Sequence, residues 1–262
     1  MYLPRIHLFE FEDQKWFPDL LREPLLNYLS FLIIELKVYN SVKDKLLHFI
    51  EQHNIESVVG LCCGGAGDFL SIADFLEQSD RSLNVTLTDL YPNKSAFERA
   101  ESLYPETIEG YYKSVDATNV PEPLKGLRII FTAFHHFQPN IAQKIIKDAI
   151  EAAEPIAIFE FSDRKLSSVL STLLVAGITM LFLTPSMRPL RFNQLFWTYT
   201  LILPIIQTWD AFVSQLRSYT PHELEQMVKS IEGHEKYNWN IGSSKHQKLP
   251  FTITYLMGNI TP

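Results

Sequence analysis

The chain has 262 residues, with 30 acidic against 23 basic side chains and a net charge of −7. Such a balance excludes a general nucleic-acid binder, which neutralises phosphates with Lys and Arg. Hydrophobic residues make up 46% and charged residues 20%, a folded rather than a disordered composition, at a length that buries a full core without cross-links.

The two cysteines, Cys62 and Cys63, are adjacent. Neighbouring cysteines rarely bridge each other and lack zinc-ligand spacing, so a reducing cytoplasm and no metal are expected. Acids at Glu10, Glu12 and Asp13 stand where a signal peptide would be apolar.

In chain order, Leu20, Leu21, Leu25, Leu29, Leu32, Ile33 and Leu36, then Leu46, Leu47 and Ile50, predict two helices with a break near Tyr39–Ser41. Ser57–Cys62 is an apolar strand ending in glycines. Asp68–Gln78 has helical spacing, Asn84–Asp89 alternates as a second strand, and a helix follows around Asn93–Leu103. Tyr111–Val115 is a third strand and Leu127–Ala133 a fourth. A helix from Asn140 to Ala153 and a fifth strand, Pro155–Phe161, come next. Strand–helix alternation of this kind predicts an α/β fold, a parallel sheet with helices on both faces. Thr220, Pro221 and Glu223 form a helix start, with the helix expected to reach Ile231. Lys236–Ile241 and Phe251–Met257 then read as a closing hairpin around the loop Gly242–Pro250, which makes seven strands.

The sharpest motif is Val58-Val59-Gly60-Leu61-Cys62-Cys63-Gly64-Gly65-Ala66-Gly67-Asp68. Small residues between a strand and a helix let a ligand approach the backbone and the free N–H groups of the helix start. The same pattern also suits a plain tight turn. No Lys-Ser or Lys-Thr follows, which excludes a nucleoside triphosphate loop. The glycine spacing departs from the strict dinucleotide fingerprint, though Asp89 lies about 20 residues on. Asp89 suits ribose hydroxyls or a helix cap; Asp116 suits an adenine amino group, with Ala117, or a turn. Each follows a strand on one sheet edge. His135 and His136 follow the fourth strand, and either suits a proton acceptor or a solvated loop histidine. Glu160 closes the fifth strand, either catalytic or a structural carboxylate paired with Arg164 or another base.

From Leu166 to Met187 run 22 residues without a charge or His, and from Phe192 to Trp209 another 18, separated by Arg188 and Arg191. Three readings compete: a lid or dimer surface, a hairpin docked on a membrane surface, and a membrane span, which needs about 20 apolar residues. In a lid, Trp197, Tyr199 and Trp209 line an apolar substrate cavity; otherwise they are simply core.

Taken together, these motifs resemble the class I S-adenosylmethionine-dependent methyltransferases. VVGLCCGGAGDF resembles their first motif, LTDLYPN the second, SVDATNVP the third and IIFTAFHHF the fourth, over residues 55 to 161. More narrowly, the chain is similar to a bacterial methyltransferase group with a loop like D-L-C-S-G-G-G-G and a segment like WDAFVSQLRSYTPHEL, here Trp209 to Leu224.

The resemblance implies a three-layer, Rossmann-like fold with a mainly parallel seven-stranded sheet. It implies one domain over 1–262 with a helical cap at 1–54 and an apolar insertion at 165–210. Cys62, Gly64, Gly65 and Gly67 would approach the methionine part of S-adenosylmethionine, Asp89 the ribose, Leu90 the adenine face, and Asp116 with Ala117 the adenine edge. Ala133, in the fourth motif, completes the cofactor set, and His135 or Glu160 would take a proton.

Gly60 stands where the superfamily usually has an acid for the cofactor's amino end, for which Glu10, Glu12 and Asp13 are candidate replacements. Ala66 replaces the usual last glycine. The expected activity is in-line methyl transfer to a small apolar or amphipathic molecule. Alternatives are a non-catalytic cofactor-binding module, a lipid-modifying enzyme at a membrane surface, and a nicotinamide-dependent reductase. Expected partners are a small molecule but no nucleic acid, with peripheral membrane contact or a homodimer through 166–209.

Overall fold

The computed structural model describes residues 2–77, 83–249 and 251–261. Two helices, α1 (Asp19–Glu35) and α2 (Lys43–Gln52), flank a 3₁₀ turn at Val38–Ser41, the expected break. The alternating part then runs β1 (Ser57–Leu61), α3 (Gly67–Glu77), β2 (Asn84–Leu87), α4 (Lys94–Leu103), β3 (Ile108–Gly110), β4 (Leu127–Phe131), α5 (Pro139–Glu151) and β5 (Ile156–Glu160). The apolar stretch forms α6 (Leu166–Leu183), α7 (Phe192–Tyr199) and α8 (Ile202–Arg217). The chain closes with α9 (Pro221–Lys229), β6 (Tyr237–Lys245) and β7 (Thr252–Ile260). Gln78 and Pro250, at the ends of two expected segments, lie outside the described residues.

The seven strands lie in the order β3-β2-β1-β4-β5-β7-β6, and β7 runs antiparallel to both its neighbours. β1 is central, with Gly60 in register with Leu87 of β2 and Ile129 of β4. Strand order reverses between β1 and β4, and in such a sheet the crevice outside the carboxyl ends at that point is where ligands sit.

β4 and β5 are buried along their whole length, so they read as continuous apolar runs. Successive side chains still divide between two cores. Val58, Ile129 and Phe131 pack with Phe69, Ile72 and Phe97 of α3 and α4. Val59, Leu61 and Ile130 pack with Ile145, Ile146, Leu224 and Val228 of α5 and α9. A third core joins α1 to the apolar helices through Leu25, Tyr28, Met180, Leu203 and Ile206.

Two expected boundaries are corrected. The third strand is Ile108–Gly110, not Tyr111–Val115. Beyond Gly110 the strand pairing lapses: Tyr111 N–H and Val115 N–H still donate to Leu87 O and Asp89 O at 2.9 Å, but Tyr112 folds back on α4, its hydroxyl donating to Glu101 Oε2 at 2.6 Å, and Lys113 and Ser114 are exposed. The alternation at 111–115 is that of an exposed crossing. The hairpin strands are also longer than expected. Gly242–Lys245 pair in full register with Thr252–Tyr255. Their polarity reads as a loop, but β6 is an edge strand and tolerates polar residues.

Candidate functional site

The glycine loop leaves β1 in strained backbone. Cys62, Gly64 and Ala66 have φ of 58°, 43° and 58°, and Thr132, just past β4, has φ of 47°. A β-branched residue in that region is an outlier, and such strain clusters where a fold holds a ligand. The loop is braced from β2: Cys63 N–H donates to Thr88 O at 3.0 Å, and Gly64 N–H to Asp89 Oδ2 at 2.9 Å.

The glycines do different work. A Cβ on Gly64 would meet nothing within 4 Å, so its surface is open. A Cβ on Gly67 would lie 2.4 Å from Ser30 Cβ, and one on Gly65 would lie 3.0 Å from Ser30 Oγ. Those two positions are small because α1 crosses the loop there. A Cβ on Gly60 would lie 2.6 Å from the Phe69 ring and 2.7 Å from Cys63 Sγ. The space where a side chain would leave β1 is thus filled by α3.

Asp89 accepts from Gly64 N–H and, through Oδ1, from Tyr91 N–H at 2.8 Å. Burial pushes its carboxyl above the usual range, partly offset by these bonds. Leu90 beside it is exposed. Asp116 is exposed and makes a local turn, Oδ1 accepting from Thr118 N–H and Thr118 Oγ1, both at 2.8 Å. Ala117 is buried beneath it. The turn that was one of its two readings is therefore present, six residues past β3. Ala133 precedes the 3₁₀ turn Phe134–His136, which carries both histidines.

Glu160 anchors that turn. Its Oε1 accepts from Phe134 N–H at 2.6 Å and His135 N–H at 3.2 Å, and its Oε2 lies 2.7 Å from His135 Nδ1. Of the partners anticipated for Glu160, Arg164 pairs with Glu223 instead, and the other base is His135. Burial lowers the His135 pKa against the pull of Glu160, so the ring is neutral. With Nδ1–H on Glu160, Nε2 is a buried lone pair with no hydrogen-bond partner among the described residues.

An N-terminal arm closes over the pair. Ile6 N–H donates to Leu216 O at 3.0 Å, and Arg217 Nε to Leu8 O at 2.8 Å. Glu10 is wholly buried, 3.0 Å from Arg217 Nη1, 3.7 Å from His136 Nδ1 and 3.9 Å from His135 Nε2. Asp13 meets His136 Nδ1 at 2.8 Å and Arg217 Nη1 at 2.7 Å. Burial lowers the His136 pKa, but Glu10 and Asp13 outweigh it and hold the ring up at about 10. Glu10, His135 and His136 present ligand-type atoms within 4.8 Å of one another, yet Arg217 already supplies the positive charge between them. Glu10, Glu12 and Asp13 thus serve this cluster: Glu12 Oε1 reaches His136 Nε2 at 4.0 Å.

Sequence reasoning missed Asp68, Tyr39 and Arg217. The Tyr39 hydroxyl donates to Asp68 Oδ1 at 2.7 Å and also meets Thr132 Oγ1, joining the end of the glycine loop to the end of β4. Burial raises Asp68 to about 6. Its place just after Gly67 was the available signal. A groove of about 280 Å³ lies alongside, between α1, Gly65, the start of α4 and the turn Ser186–Arg191. Of the three aromatics expected to line a cavity, Trp209 bonds to Phe9 O at 3.0 Å, Tyr199 is exposed, and Trp197 packs on the third core.

No family model matches the chain, and no curated protein matches it. Solved structures do. The plantazolicin methyltransferase BpumL in complex with a triazolic desmethylPZN analog and SAH is 13% identical, with a TM-score of 0.55, over 96% of this chain and 97% of that one. The methyltransferase domain of the bacterial CtHen1-CN is 11% identical, with a TM-score of 0.49, over 84% and 98%. An O-methyltransferase family protein from Burkholderia thailandensis is 13% identical, with a TM-score of 0.47, over 96% and 58%. The first likeness, with the strand order above, shows that this chain has the Rossmann-like fold of the class I S-adenosylmethionine-dependent methyltransferases.

Proposed function

We propose that the chain is a methyltransferase that uses S-adenosylmethionine and acts on a small amphipathic molecule. The observation that carries this is the open Gly64 surface held against the Asp89 carboxylate at the switch point of a methyltransferase fold. Each Asp89 oxygen has spare lone pairs beyond its one backbone bond, which suits two ribose hydroxyls. Leu90 flanks the adenine, Asp116 with Ala117 reaches its edge, and Cys62, Gly64 and Ala133 border the methionine part.

Asp68 takes the amino end of that part, in place of the acid that Phe69 leaves no room for at Gly60. The groove beside Gly65, lined by Leu26, Asn27, Phe31, Asn93 and Arg99, offers the acceptor a place.

The cofactor supplies an electrophilic methyl on a sulfonium sulfur. The protein's part is proximity and alignment. When bound, the cofactor would offer that methyl to the acceptor's lone pair, and His135 Nε2 would take the acceptor's proton once the arm carrying Glu10 lifts from it. Glu160 is a positioning residue that fixes the tautomer. His135→Gln should lower kcat by about 10²–10⁴-fold, the usual range for a general base, with cofactor affinity unchanged. An unaltered kcat removes His135 from the reaction.

Calorimetry tests the whole reading: S-adenosylmethionine and S-adenosylhomocysteine should bind, and Asp89→Ala should lose roughly 1.5–3 kcal/mol of affinity. No heat with either compound, in folded protein, refutes it. A second reading, a binding module without catalysis, draws on the burial of His135 and the filled space at Gly60. Turnover of any acceptor in a labelled screen would dispose of it.

A further inference from the structure

The apolar helices are built inside out. α7 buries Gln194 and Thr198 and turns Phe192, Phe196 and Tyr199 outward, with Phe192 82% exposed. In α6, Thr172 accepts from Gln215 of α8, and Thr179 meets the Tyr28 hydroxyl of α1 at 3.1 Å. Leu166, Leu170, Leu174, Ile178 and Phe182, spaced by four residues, face out, and Phe182 is 76% exposed. Leu201, Ile202 and Ile205 extend the face onto α8. Several hydroxyls bond to their own helix rather than to water, as Ser171 does to Ser168 O and Thr208 to Pro204 O. At Gly177 a Cβ would lie 2.7 Å from Thr208 Oγ1 and 2.9 Å from Pro204 O, so α6 and α8 meet through small residues. Small interfaces with polar groups turned inward are how helices pack when their outer face meets lipid. A patch of this extent, unlike scattered apolar residues, marks an interaction surface.

Charge decides what covers it. Between Arg164 and Trp209 there is no Asp or Glu, in a chain that carries −7 overall. Arg188 and Arg191 are exposed at the turn between α6 and α7, with Arg191 3.8 Å from the exposed Glu23 of α1. An apolar face edged by arginines complements a bilayer with anionic headgroups. A two-fold contact with a second copy would add like charges along that edge. A full span is disfavoured by α1, which packs on α6 and would carry Asp19, Arg22 and Glu23 into hydrocarbon.

We infer that this chain lodges on an anionic lipid surface through the outer face of α6, α7 and the start of α8. The groove proposed for the acceptor includes Arg188 and Arg191 in its wall, so it opens at the edge of the lodged face.

The test is flotation of the full chain with vesicles of phosphatidylcholine alone and of phosphatidylcholine mixed with phosphatidylglycerol. The protein should float with the mixed vesicles. Phe182→Glu with Phe192→Glu, at exposed positions that leave the circular dichroism unchanged, should lower binding by about ten-fold or more, because two buried rings are lost. Arg188→Gln with Arg191→Gln should lower binding to the mixed vesicles roughly 25-fold, at about five-fold per basic side chain.

Wild-type protein that stays unbound with both vesicles overturns the proposal. So does flotation that the two glutamates do not reduce, or a dimer in sedimentation that they disperse while no flotation is seen. The assay needs no cofactor, so its failure and that of the methyltransferase reading are separate.

Discussion

At Gly60 a single missing side chain decides what the first strand can present. The Phe69 ring and Cys63 sulfur occupy the place of a Cβ, so Gly60→Ala forces both to shift. Overpacking of that kind costs about 1–3 kcal/mol, and a denaturant midpoint lowered by that amount is the expected result. On the proposed function the acid of the site lies eight residues onward, at Asp68 in the first turn of α3. Burial holds Asp68 at about 6. The carboxylate is charged above that value and neutral below it, so affinity for the cationic amino end should fall as pH drops through 6. Asp68→Asn should bind weakly and without that pH dependence; calorimetry across the range measures both. Asp89 and Gly64 were legible because strand, small residues and acid recur in order. Asp68 was present in the same motif but silent, since its partner Tyr39 is brought in by another element.

Among the elements, α9 is the most completely written in its own residues. Thr220 Oγ1 accepts from Glu223 N–H, and Glu223 Oε2 accepts from Thr220 N–H at 2.8 Å, the capping box that Thr-Pro-His-Glu announces. Burial raises the Glu223 pKa, but the Thr220 bonds and Arg164 outweigh it and hold it low. Thr220→Ala should cost about 1 kcal/mol, read by chemical denaturation. Parallel strands and amphipathic helices were legible for a similar reason, because periodicity is local. β3 was not: three paired residues carry too little pattern, and the alternation just after it belongs to a loop. The apolar helices expose a deeper limit. Composition located them, but Leu174 outward and Thr198 inward reverse the usual sense of periodicity, and only packing reveals which face is buried.

Across the whole molecule, the arm is held by charge. His136 is raised to about 10 by Glu10 and Asp13, from an ordinary 6.5. A histidine raised in the folded state contributes stability that is complete below 6.5 and is lost as pH rises through about 10. The melting-temperature gap between wild type and His136→Gln should therefore shrink across that interval; a constant gap would show that the charge does not hold the arm. Asp13 is depressed by His136 and Arg217 despite its burial, so its share is lost only in acid, as pH falls below the usual carboxylate range. None of this was legible in order along the chain, because Arg217 lies about two hundred residues from the acids it joins.

That separation has a consequence for how the molecule is made. Seating the arm before the sheet exists closes a loop of some two hundred residues, at an entropic cost of roughly 4–5 kcal/mol. Seating it on a finished sheet avoids most of that cost. The arm therefore seats only once α8, the helix that holds it through Trp209 and Arg217, is in place. Glu10 comes within 3.9 Å of His135 Nε2 only in the seated arm, so the cover over that ring depends on a contact between distant parts of the chain.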